Sequence, residues 1–194
     1  MPVLGIVASS ISGHLSSPSF ESIASANGTG ASNTITFSSI PSTYKSLQIR
    51  IFGKDASTSA QVPATAAITF NGAGATYSVH YMYGASTGGL IANGTGNFAE
   101  MQIPYAFPTS RTIAPSQVNI YGALIVDIID YASTSKNKTI RTISGVDGNQ
   151  AYLGYVAQIS SGAWYDTAAV SSISIKTNIS VFTTGTTMAL YGVK

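Results

Sequence analysis

The sequence predicts an all-β protein, and three observations carry that expectation. Short runs rich in β-branched and aromatic residues recur along the 194 residues, divided by clusters of Gly, Ser, Asn and Pro. Several runs alternate apolar and polar residues with the period of a pleated strand. No segment of helical length repeats its apolar residues at the helical period. The expected architecture is a single-domain antiparallel β-sandwich over residues 20–194, preceded by an extended arm over residues 1–19.

Taken in order, the runs are Phe20 to Ser25 and Thr34 to Phe37, separated by the turn cluster at 27–30, and then Tyr44 to Phe52. In the third, Leu47, Ile49 and Ile51 point one way, while the other face carries the polar Gln48 and Arg50. Thr65 to Phe70 follows, closed by the hairpin dipeptide Asn71-Gly72, and then come Tyr77 to Tyr83 and Phe98 to Ile103. From Val118 to Ile129 the chain is nearly continuous in apolar character, as in a strand covered on both faces. The remaining runs are Lys138 to Ser144, Ala151 to Ile159, Val170 to Lys176, Ile179 to Phe182 and Met188 to Val193. The Gly-rich stretch 84–97 and the Pro-containing stretch 104–117 read as long surface loops. No linker or fixed-period repeat divides the chain.

Composition narrows the function classes. Charged residues make up 8% of the chain and Ser plus Thr about a quarter, against about 25% charged residues in ordinary soluble domains. A neutral polar surface offers little long-range repulsion between identical copies, which suits a component of a large assembly. The net charge is +2 and the basic residues are scattered, whereas counterion-release binding to nucleic acid needs them clustered. The nearest group, Lys136, Lys138 and Arg141, reads as a solvated turn and strand start. Nucleic acid is therefore not an expected partner. Neither is a membrane, because the apolar run in MPVLGIVASSISGHL is too short to span one and lacks the basic start of a signal peptide. Assembly in the cytosol is the expectation. Without cysteine there is no disulfide framework or thiolate metal site.

The residues that carry chemistry form no set. His14 and His80 are the two histidines, and no G-x-S-x-G elbow accompanies them. Asp127 and Asp130, three apart, would point to opposite faces of a strand, unlike a glycosidase pair. His pairs at helical spacing, calcium loops and phosphate-cradling glycine motifs are likewise missing from the sequence. The expectation is no enzyme, no cofactor and no metal. What remains is aromatic: Tyr77, Tyr81 and Tyr83 occupy alternate positions of one run, as sandwich core, subunit interface or glycan platform. In the arm, Pro2, Val3, Leu4, Ile6, Val7 and Ile11 form an apolar stretch before a Ser-, Gly- and Pro-containing segment. Such an arm is an aggregation hazard in water, so it should add a strand to a neighbouring sheet edge or lie in an apolar groove.

Four segments carry a resemblance: GIVASSISGHL, FESIASANGTGASNTITFSSIPSTYKSLQIRI, ALIVDIIDYASTSKNKTIRTISG and the closing MALYGVK. In these the chain, from Gly5 to Lys194, resembles a group of virion structural proteins of tailed bacteriophages. The resemblance implies a place on the particle, either as a capsid decoration (cement) protein bound to the major capsid protein or as part of a tail fibre. It also implies, by analogy with surface sandwiches of such particles, a jelly roll that forms a homotrimer.

Overall fold

In a computed structural model, the chain is described over residues 19–59, 63–72, 74, 76–85, 89–110, 119–148 and 155–194. The described residues form twelve strands: β1 (Phe20–Asn27), β2 (Thr34–Phe37), β3 (Ser46–Gly53), β4 (Ala64–Phe70), β5 (Tyr77–Ala85), β6 (Leu90–Phe98), β7 (Met101–Phe107), β8 (Gly122–Ile129), β9 (Lys138–Asp147), β10 (Tyr155–Trp164), β11 (Ile173–Thr177) and β12 (Thr187–Val193). The expected all-β antiparallel sandwich is what they build. Eight strands form one sheet in the order β1-β12-β3-β8-β9-β10-β5-β6, and four form the other in the order β2-β11-β4-β7.

The pairing is nested. β1 pairs with β12, β2 with β11, β3 with β8 and β4 with β7, all antiparallel. The chain therefore behaves as one long hairpin rolled over itself, which is the eight-strand jelly roll. Two further hairpins, β5–β6 and β9–β10, are inserted between the rolled strands. They lengthen the large sheet beyond β8, giving an extension of four strands. The edge of the small sheet, β7, lies against β8, β9, β10 and β5.

The core follows from alternation. Leu47, Ile49 and Ile51 of β3 and Leu124, Val126 and Ile128 of β8 face the small sheet and are buried, with Phe70, Ile103, Phe107 and Ile175 opposite. At one end, Trp164 packs edge-on against Phe70 and stacks on Tyr77, whose hydroxyl accepts the Phe70 N–H at 2.7 Å. Burial pushes the Tyr77 phenol up to about 12. At the other end, buried Asp55 accepts hydrogen bonds from the Ser57 and Ser180 N–H groups and from Thr177 Oγ1. This ties the chain after β3 to the segment between β11 and β12.

Several local expectations need correction. Asn71 and Gly72 do take left-handed backbone, with φ of 52° and 90°, yet they turn the chain from one sheet to the other and do not close a hairpin. The Asn71 side chain fixes that corner by accepting the Ser171 and Ser172 N–H groups and donating to the Ala169 carbonyl. Lys138 is not solvated. It is fully buried, and its ammonium donates to the carbonyls of Ser133, Lys136, Asp166 and Thr167, clamping two loops while burial lowers its pKa. The stretch 84–97 is largely strand β6, and Pro104 sits within β7, where a sheet edge tolerates its missing donor. The run 179–182 contributes no strand, only an isolated bridge from Phe182 to Asp55.

Candidate assembly surface

The outer face of the large sheet, turned away from the small one, carries rows of exposed apolar side chains. Register places side chains of successive strands side by side. Ile125 of β8 lies opposite Ile143 of β9, Ile143 opposite Ile159 of β10, and Ile159 opposite Met82 of β5. Next to this row runs a second: Phe52, Ala123, Gly145, Ala157, Gly84 and Leu90. Ile143 is 55% exposed, Ile159 51% and Leu90 70%. From Phe52 to Leu90 the rows cross five strand spacings, about 24 Å.

Polarity is inverted in the middle of the extension. Thr142, Ser144, Gln158 and Ser160 face inward and are buried, while Ile143 and Ile159, their neighbours in sequence, face water. A strand pair in a finished two-layer protein does the reverse. Gln158 Nε2 donates to Ser160 Oγ at 2.9 Å, but Thr142 Oγ1, Ser144 Oγ and Gln158 Oε1 have no partner. Burial of polar groups inside and exposure of isoleucine outside both oppose stability for an isolated chain. Strand β8 carries the same message, because its sequence reads as covered on both faces while Ala123 and Ile125 are exposed.

A polar row borders the apolar ones: Gln48, Asp127, Arg141, Ser161 and His80. Gln48 donates from Nε2 to Asp127 Oδ1 at 2.9 Å and accepts the Arg50 Nε–H at its Oε1 at 2.8 Å, and the Arg50 guanidinium lies over the rings of Phe20 and Tyr191. Asp127, Arg141, Ser161 and His80 of this row line a shallow groove of about 820 Å³ together with Met82, Ala92 and Ile159, which floor it. At its far side the sheet ends in β6, all of whose residues are exposed and which carries no charged side chain and no proline. Edge strands without such protection are templates for pairing with another chain. Glycine makes this edge possible, since a Cβ at Gly94 would strike the His80 ring.

Among the described residues the groove does not bring Ser, His and Asp together as a triad. Ser161 and His80 are cross-strand neighbours, but Asp127 lies three strand spacings from His80, about 14 Å, too far to orient it. Backbone N–H groups on a sheet face are engaged in the ladder, so no oxyanion site is offered there. Among the described residues no three His, Asp or Glu side chains come together as a metal site, and no helix is long and apolar enough to cross a membrane.

The sequence-derived candidates fare differently. Tyr77, Tyr81 and Tyr83 share one face as expected, but it is the inner face. Tyr77 and Tyr83 are core residues of their own chain, Tyr83 meeting Tyr105 edge-on, which removes both from any exposed interface; Tyr81 is half-buried. Pro2, Val3, Leu4, Ile6, Val7 and Ile11 lie outside the described residues. The sequence does not single out the isoleucines of the outer face, because alternation alone does not say which of two mixed faces is outward. No protein-family model, curated protein or solved structure matches the chain.

Proposed function

We propose that this chain is a non-enzymatic structural component of a bacteriophage virion, a capsid decoration protein that binds neighbouring capsid subunits and copies of itself, as a homotrimer on the particle. The observation that carries the proposal is the inverted polarity of β9 and β10, which leaves an apolar face waiting for protein contact. The uncharged edge of β6, the low overall charge and the resemblance to virion proteins support it. Jelly rolls serve many functions, so the fold alone adds little. Isolated Arg50 and Arg141 beside an apolar floor suit a protein partner better than nucleic acid or lipid.

A tail-fibre or receptor-binding role is the second candidate, favoured by the groove that sets Asp127, Arg141 and His80 along an apolar floor. Quantitative mass spectrometry of purified particles separates the two. A copy number on the scale of the capsid lattice is expected for decoration, and one on the scale of a few fibres supports the second role. Absence from washed particles overturns both.

A further inference from the structure

Granting that assembly role, we infer that the outer face of the extension is the docking site for residues 3–11 of a second copy of this chain. The face asks for an apolar, uncharged occupant about 24 Å long, by strand spacing. Residues 1–18 contain no Asp, Glu, Lys or Arg, so they can lie on isoleucines without burying a charge. Residues 3–11 carry Val3, Leu4, Ile6, Val7 and Ile11, and nine residues in extended form span about 30 Å, enough to cross from Phe52 to Leu90. The polar row beside the floor supplies Arg141 and Ser161 to the backbone groups that a chain lying on a sheet leaves unpaired.

Strand direction favours the arm of a second copy. β1 enters the sheet at Phe20, opposite Val193, and its neighbour row ends at Ile129; it then runs toward Asn27, level with Phe52 and Ala123. The ladder continues through Ser19, whose carbonyl accepts the Lys194 N–H. β1 thus begins at the end of the sheet remote from the apolar rows. The direct way back is occupied by Phe20, Tyr191 and Arg50, packed on one another. A second copy meets neither obstacle.

The lack of native cysteine makes the test clean. Val7→Cys combined with Ile143→Cys, at an exposed position that spares the core, is oxidised and run on a non-reducing gel. Disulfide-linked multimers are expected. Val7→Cys with Ile179→Cys, on an exposed part of the chain outside the large sheet, should remain monomeric. An internal disulfide overturns the inference by placing the arm on its own sheet. Linkage by Ile143→Cys alone overturns it in favour of two faces packed together, and no linkage overturns it outright. None of these outcomes touches the virion copy number, so a failed arm and a failed structural role are told apart.

Discussion

The two ends of the eight-stranded sheet share strand geometry and differ in what finishes them. At the β1–β12 end the outer face closes on itself: the Arg50 guanidinium lies over the rings of Phe20 and Tyr191, and Gln48 joins Arg50 to Asp127. At the β10–β5–β6 end, isoleucine, methionine and leucine face water beside an uncharged edge. The first end is complete within one chain. The second leaves apolar side chains exposed above a layer of buried polar ones, the feature from which the proposed assembly role is argued.

The largest effect should come from where the extension joins the roll. Trp164→Ala removes the ring that meets Phe70 and Tyr77, with an expected loss of about 3–5 kcal/mol in chemical denaturation. If the loss is below about 1 kcal/mol, the extension is not anchored through the core. Lys138→Met leaves carbonyls of two loops without their donor and should cost about 2–3 kcal/mol in the same assay.

Tyr77→Phe should cost about 1–3 kcal/mol by leaving the buried Phe70 N–H unpaired, and it should also change the alkaline limb of stability. In the unfolded chain a tyrosine loses its proton near pH 10, and in the fold Tyr77 holds it to about 12. Between these values the folded state binds the extra proton, so stability is full below 10 and falls as pH rises toward 12. Lys138, lowered by burial, acts in the opposite sense up to its ordinary value. Comparing Tyr77→Phe with the parent across this range isolates the tyrosine; an unchanged slope would contradict its assignment. The smallest effect belongs to the exposed Glu21–Lys194 pair: Lys194 is held above and Glu21 below its ordinary value, each by the other. Lys194→Met should leave the thermal midpoint unchanged within measurement, as surface ion pairs usually do.

Much of the fold was legible because period-two alternation is strong where one face meets the small sheet. The alternation places β2 at Thr34 to Phe37, and β3 and β12 within two residues of their ends. The jelly roll came from resemblance and not from the residues, since nested pairing leaves no local mark. β6 is illegible: Gly94 and Gly96 look like loop, and the reason for Gly94 in a strand, clearance for the His80 ring across the ladder, is a tertiary fact. Lys138 looked like surface because nothing local announces four carbonyls converging on its ammonium. The candidate surface was half visible. The continuous apolar run of β8 predicted two covered faces, but the outward isoleucines of β9 and β10 become a patch only when register aligns them.

That the outer face is built to be covered by protein is tested most directly by sedimentation of the full chain beside Ile143→Asp/Ile159→Asp. Both positions are exposed, so the double variant should keep a β circular-dichroism spectrum. The parent should sediment as an oligomer and the variant as a monomer. A parent that stays monomeric at its highest soluble concentration, or a variant that associates as strongly as the parent, would contradict the account.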